Sequence, residues 1–174
     1  IQAGQKIFIN GASGVIGSAL LQFIKQYDIE ITVTFSTKDI ALIKSLGADK
    51  VYDYTKEDFT DTLAQYDFIF DTVSKSTFGK CEALLSKNGI YISSELGPYA
   101  QNIFYPLLNF IFSKKVIFPI PYSPKETIPY ISNLLTKGIF KPVIDREYPL
   151  GDISAAYEYV ISGKKAGNVL INII

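Results

Sequence analysis

The chain of 174 residues contains no histidine, no methionine and a single cysteine, and it has no excess of either charge. Without histidine, neither a zinc site nor a histidine-based triad is expected from this chain alone. One cysteine, Cys81, excludes an intrachain disulfide, so the chain does not need an oxidising compartment and a cytoplasmic location is expected. Cys81 is read as a small buried apolar side chain, not a reactive thiol. Lys+Arg and Asp+Glu are 17 each. That balance leaves no electrostatic footprint for nucleic acid or an anionic membrane, and neither is expected as a partner. The absence of methionine at residue 1 is read as the mark of a piece of a longer protein, or of a chain whose start was removed. Lys6 and Asn10 break the early apolar run, so the opening is not a signal peptide.

Hydrophobic residues make up 48% and charged residues 20%, enough apolar material for a sizeable core. The most apolar stretch, NIFYPLLNFIFSKKVIFPIPY from Asn102 to Tyr122, is interrupted by Pro106, Asn109, Lys114 and Lys115. It is too short and too broken to span a bilayer. It reads as a buried helix followed by a buried strand near Val116 to Phe118, the alternative being an exposed apolar surface that docks against something else.

Strand and helix patterns alternate. Lys6–Asn10 is an apolar strand, and Gly14–Tyr27 is a helix with Ile16, Leu20, Phe23 and Ile24 on one face. Glu30–Phe35 is a second strand. Lys38–Leu46 is a helix that Gly47 ends as a C-cap. Strands follow at Lys50–Asp53, Asp67–Asp71 and Gly89–Ser93, with a helix at Thr77–Leu85. Asp67–Asp71 is nearly all apolar, as a strand buried on both faces should be. Lys115–Phe118 is a sixth strand, and Lys125–Thr136 is a helix with Gly138 near its end. This rhythm predicts βαβ units in a parallel, doubly wound six-stranded sheet of the Rossmann kind. From Lys141 onward the pattern becomes strand, helix, strand, a distinct C-terminal β-α-β segment.

Gly11, Gly14 and Gly17 stand three apart where the first strand runs into the first helix. GxxGxxG is not the usual GxGxxG and alone is a weak signal. In this context the amides of Gly14, Val15 and Ile16 lie at a positive helix end, where a pyrophosphate can rest. Gly11 permits the tight turn, Gly14 lets phosphates approach, and Gly17 lets helix and strand pack closely. A turn needing glycine only for packing is the bland alternative. The second strand ends Phe35-Ser36-Thr37-Lys38, without the acid that usually holds both ribose hydroxyls of NAD; Asp39 comes later, at the helix start. Two hydroxyls and an ammonium suit a 2′-phosphate, which favours NADP(H). Ordinary helix capping by Ser36 or Thr37 is the alternative.

The segments NGASGVIG, FSTKDIALIKSLGADKVYDYTKEDF, DFIFDTVSKS, GIYIS and KPVIDREYPLGDISAAYEYVISGKKAGNVLI together resemble the medium-chain dehydrogenase/reductase superfamily, and most of all its zinc-free quinone oxidoreductase branch. The resemblance covers nearly the whole chain. It implies an NADP-binding Rossmann domain at residues 1–140. Residues 141–174 would then be the C-terminal return segment of a GroES-like catalytic domain that is largely missing from this sequence. It further implies that Ser13, Gly14, Val15 and Ile16 contact the pyrophosphate and that Ser36 and Lys38 meet the 2′-phosphate. Tyr54 would pack near the adenosine phosphate. Thr72, Val73, Ser94 and Leu96 would line the cofactor, and Asn168 would lie close to it. Where the family often has glycine after DTV, this chain has Ser74. All these positions fall at the carboxyl ends of expected parallel strands or beside them, where open α/β sheets bind ligands.

The reaction implied is hydride transfer from NADPH to a quinone, an enone or a similar electrophilic carbonyl, with no metal and no catalytic residue in this part of the chain. The fragment alone would bind NADPH weakly and catalyse nothing. A short-chain dehydrogenase is disfavoured: its glycine pattern is GxxxGxG, and the YxxxK made by Tyr52 and Lys56 stands too early in the chain. A non-catalytic NADP(H)-binding redox sensor is the alternative of another class. In relatives the sixth strand can pair across a homodimer, and Val116-Ile117-Phe118 offers such an apolar edge. Pro119 and Pro121 close behind it can instead simply blunt the edge.

Overall fold

The structure is a computed structural model that describes residues 1–73, 75–94, 96–108, 110, 113–119 and 123–173. Six strands form one parallel sheet: β1 (Lys6–Asn10), β2 (Glu30–Phe35), β3 (Lys50–Asp53), β4 (Tyr66–Asp71), β5 (Leu85–Ser93) and β6 (Lys115–Ile117), in the order β3-β2-β1-β4-β5-β6. The order reverses between β1 and β4, which opens a crevice beyond their carboxyl ends. Successive side chains of a strand point to opposite faces. Ile7 and Ile9 accordingly join one core layer, with Ile31, Val33 and Ile43. Phe8 joins the other, with Tyr66, Ile69, Leu84 and Tyr91. Burial on both faces is why β1 and β4 read as apolar runs and not as alternating ones.

The first helix, α1 (Val15–Ile24), is shorter than the pattern suggested, and its buried residues are Gly17, Ser18, Leu21 and Ile24. The expected stripe through Ile16 is therefore out of phase: Ile16 is exposed, and Gly17 makes the contact in its place. A Cβ at Gly17 would lie 2.3 Å from the Gly11 carbonyl oxygen, so glycine lets the helix rest directly on the turn. A 3₁₀ turn at Thr37–Asp39 leads into α2 (Ile40–Leu46). Gly47, at φ +89°, ends α2 with its N–H on the Lys44 carbonyl, as expected of a left-handed cap. The helix expected at Thr77–Leu85 is one α-turn, α3 (Phe78–Cys81), capped by Thr77 and followed by a 3₁₀ turn. Leu85 belongs instead to β5, where it is fully buried opposite Tyr66.

The largest departure lies after β5. The apolar run forms only α4 (Gln101–Phe104) and a 3₁₀ turn at Tyr105–Leu108. It is not the buried helix expected. Asn102 is buried, whereas Ile103, Phe104 and Leu107 are exposed. Pro106 has no N–H to continue the α-helix, so the segment is too short to bury an apolar stripe. The strand expected to be buried over Val116 to Phe118 is β6, in which only Val116 is buried; Ile117 is exposed and Phe118 lies beyond the strand. Ser74 and Pro121, singled out in the sequence, lie outside the described residues.

Helix α5 (Pro124–Thr136) closes the alternating region. The C-terminal segment then forms β7 (Ile144–Pro149), α6 (Ile153–Ile161) and β8 (Asn168–Asn172). β7 and β8 pair in parallel as a separate two-stranded sheet. α1 anchors this segment. The Gln22 side chain accepts from Lys141 N–H (2.8 Å) and donates to the Lys141 carbonyl (3.1 Å), and Phe23 packs on Phe140 with ring centroids 4.9 Å apart. No helix among the described residues is long and apolar enough to cross a membrane.

Candidate functional site

A cleft of about 800 Å³ opens where the sheet order reverses, at the carboxyl ends of β1 to β4. One wall is the glycine turn. Gly11 takes φ +87°, and a Cβ there would lie 2.3 Å from a Val73 methyl, so only glycine fits. The Gly14 N–H folds back onto the Gly11 carbonyl (3.1 Å). That amide is therefore spent on closing the turn and is not a free donor as the sequence suggested. Gly14 is the N-cap of α1 and offers no side-chain acceptor. The N–H groups of Val15, Ile16 and Gly17 meet no protein acceptor among the described residues. These are the orphan donors of a helix start, at the positive end of its dipole.

Of the residues singled out from sequence, Gly11, Ser13, Gly14, Lys38, Tyr54 and Val73 line the cleft. Val15 and Ile16 are exposed at the first turn of α1, and Gly17 is buried beneath it. Thr72 is a brace: its hydroxyl donates to the carbonyls of Asn10 (2.8 Å) and Gly11 (3.2 Å). The Ser94 N–H bonds the Asp71 carbonyl, while its buried hydroxyl has no partner among the described residues. Leu96 is exposed and accepts from Asn102 through its carbonyl. Asn168 spends its side-chain N–H₂ on the Val143 carbonyl (2.9 Å), which holds it in the β7–β8 pairing.

The region after β2 is more committed than its sequence implied. Thr37 donates its hydroxyl to Asp53, at the end of β3, and Thr55 donates to the same carboxylate through its N–H (3.0 Å) and hydroxyl (2.6 Å). These bonds, that of Thr37 foremost, hold the Asp53 carboxyl well below the usual carboxylate range. Lys56 lies 3.4 Å from it. The Lys38 ammonium donates to the Lys164 carbonyl of the C-terminal segment. In this stretch after β2, the Ser36 hydroxyl is left without a protein partner among the described residues.

Sequence reasoning missed several lining residues. Asp39, set aside as part of a helix, is 7% exposed and faces the cleft beside Lys38. Asn10 and Thr34 lie under the turn, where the Gly11 N–H donates to the Thr34 hydroxyl oxygen (2.9 Å) and that hydroxyl donates to the Asn10 side chain (2.7 Å). Polar residues at the ends of otherwise apolar strands were the available signal. Gly163 and Lys165 wall the cleft from the C-terminal segment, and the Gly167 N–H donates to the Ser13 carbonyl (2.8 Å). Cys81 is fully buried, and burial pushes its thiol up to about 11, consistent with an inert side chain.

Residues 46–171 match the family of zinc-binding dehydrogenases. Among curated proteins, a chloroplast envelope quinone oxidoreductase homolog of Arabidopsis thaliana is 31% identical over 170 residues, which is 95% of this chain and 51% of that protein. A chloroplastic NADPH-dependent alkenal/one oxidoreductase of the same plant is 26% identical over 97% of this chain and 41% of its own length. The quinone oxidoreductase of Coxiella burnetii has the same fold, with a TM-score of 0.87 at 20% identity, over 100% of this chain and 54% of that structure. The chain spans about half the length of the curated relatives it matches.

Proposed function

Because the chain belongs to the zinc-binding dehydrogenase family, within the medium-chain dehydrogenase/reductase superfamily, we propose that it is the cofactor-binding part of an NADPH-dependent quinone or enone reductase. One observation carries the proposal: α1 opens onto the cleft with the amides of Val15 and Ile16 unspent, above a turn that only glycine can make. When bound, the nicotinamide dinucleotide supplies the hydride. The chain's own residues do the rest. Val15 and Ile16 N–H groups bind the pyrophosphate, with Ser13 and Gly14 beside it. Ser36 and Lys38 meet the 2′-phosphate, Lys38 leaving the Lys164 carbonyl to do so, and Tyr54 flanks the adenosine. Val73 and Leu96 exclude water along the cofactor's path, Thr72 holds the turn to β4, and the orphaned Ser94 hydroxyl gains a partner. Asn168 serves by holding the loop that meets Ser13.

Residues 1–140 are in this reading the NADP-binding Rossmann domain and residues 141–174 the end of a GroES-like catalytic domain. That domain would bring the substrate pocket, so no catalytic residue is assigned here. The names of the relatives support a quinone- or enone-reductase activity and an NADPH donor, and in this reading the enzyme works without zinc. A quinone or enone is the substrate, a homodimer forms through β6, and the location is cytoplasmic. Asp39 favours a second reading: a carboxylate facing the ribose suits NAD(H) in place of NADP(H).

Calorimetric titration of the full-length protein with NADPH and NADH, followed by absorbance decay of the preferred cofactor with a quinone, tests the proposal. Tighter binding of NADPH with turnover is expected. Tighter binding of NADH moves the assignment to Asp39, binding without turnover points to a redox sensor, and no heat with either dinucleotide overturns the site.

A further inference from the structure

We propose that Asp71 is a positioning residue of this cleft: a buried carboxylate that holds the glycine turn and the loop after β4 in one arrangement. The inference rests on the dinucleotide reading above. Asp71 is 1% exposed, and neither of the ion pairs among the described residues involves it. A buried carboxylate without a cation must be satisfied by hydrogen bonds. The Asn10 side-chain N–H₂ (3.0 Å) and the Val73 N–H (3.4 Å) donate to one oxygen, and the Tyr91 hydroxyl (3.1 Å) and the Ser76 N–H (3.4 Å) to the other. These donors come from β1, from β5 and twice from the loop after β4. The carboxylate thus gathers the ends of three neighbouring strands at the point where the sheet order reverses.

The chain of bonds does not stop at Asn10. Its side-chain oxygen accepts from Thr34 of β2, whose own oxygen accepts the Gly11 N–H. Asp71 is therefore linked without a break to the first amide of the glycine turn. On the other side, Thr72 ties the adjacent backbone to Asn10 and Gly11, and Val73 rests where a Gly11 side chain would be. Asn10, Gly11, Thr34 and Val73 line the cleft while Asp71 does not. It acts through them. A role in stability alone would need none of this convergence on the turn.

The test is a binding comparison on the full-length protein. Asp71→Asn keeps the shape but sets an amide N–H₂ against groups that donate. The variant should weaken NADPH about tenfold or more, because a displaced turn misplaces the pyrophosphate donors. Adenosine 2′-monophosphate carries neither phosphate of the bridge and should keep its affinity within about twofold. Amide exchange at Gly11 should quicken in the absence of ligand. Unchanged NADPH affinity, or equal loss of both ligands, overturns the proposal. If Asp71→Asn does not fold, Thr34→Val cuts the same chain next to the turn and must show the same selective loss; unchanged NADPH affinity there overturns it as well. A wild-type protein that binds neither NADPH nor NADH overturns the dinucleotide reading itself.

Discussion

At the scale of single residues, the site depends on a few close contacts. Gly17 has no room for a methyl group: the Cβ would stand 2.3 Å from the Gly11 carbonyl and 2.8 Å from the Ala12 Cα, both backbone atoms that cannot swing aside. Gly17→Ala should therefore cost about 1–3 kcal/mol of stability by overpacking. Denaturant unfolding reads that loss directly, and a variant as stable as wild type would mean that α1 does not rest on the turn. Asp53 sets a pH dependence. Its pKa is depressed in the folded chain, chiefly by the Thr37 hydroxyl and then by Thr55. The contribution to stability is thus present above the ordinary Asp value of about 3.9. It is lost as the pH falls from there through the folded value. Asp53→Asn should therefore cost stability at neutral pH, where that contribution is fully present, and approach wild type below about pH 4, so that the acid limb of its stability curve is flatter; thermal melts across that range check it. The residue scale is also where the sequence was least legible. Gly11 and Gly14 declare a turn by their spacing, yet nothing in the string says that Gly14 spends its own amide. Lys38 and Asp39 are adjacent in sequence, and only the fold shows both facing the cleft. Thr34 and Asn10 are separated by 24 positions and meet through the register of β1 with β2.

At the scale of elements, legibility followed the strength of the pattern. β1 and β2 have the bounds that their apolar runs imply, because strands buried on both faces carry a dense local signal, and the edge strand β3 has the bounds that its flanking turns imply. α1 slipped in phase because its buried face includes Gly17 and Ser18, which a hydrophobicity stripe cannot reveal. The segment after β5 failed for the opposite reason. It is apolar throughout, but Pro106 divides it and the described part leaves Ile103, Phe104 and Leu107 exposed. The C-terminal β-α-β unit was recognised as distinct, although its attachment was not. A two-stranded sheet is marginal by itself. The paired bonds of Gln22 to Lys141 and the contact of Phe23 with Phe140 supply the anchorage to α1. Gln22→Ala should remove about 1–2 kcal/mol of that anchorage, at roughly 1 kcal/mol net per hydrogen bond. Hydrogen exchange should then quicken in β7 and β8 while β1 and β4 keep their protection. Uniform loss of protection across both sheets would mean that the two units unfold as one.

At the scale of the whole molecule, the question is what covers the apolar surface. The large parallel sheet has two edges, β3 and β6. β3 is followed closely by the Asp53 cluster, which ties its end to the turn after β2. β6 is only three residues long, and Ile117 on it is 40% exposed. A short edge strand with an exposed apolar side chain can take a further strand beside it. The C-terminal unit likewise exposes Ile144, Ile161 and Ile173. The two surfaces call for different occupants. The β7–β8 surface belongs to the remainder of the catalytic domain in the proposed function, and β6 to a second copy. They can be separated by concentration, since contacts within one polypeptide do not dilute away and contacts between copies do. Light scattering on the full-length protein should report a dimer. Ile117→Lys, which sets a solvated charge on the edge, should shift dimer dissociation to at least about tenfold higher concentration without altering the far-UV spectrum. A dimer that survives Ile117→Lys unchanged would place the interface away from β6, and a wild-type protein that is monomeric at every concentration would leave the edge to be blunted by its own flanking residues, Pro119 among them.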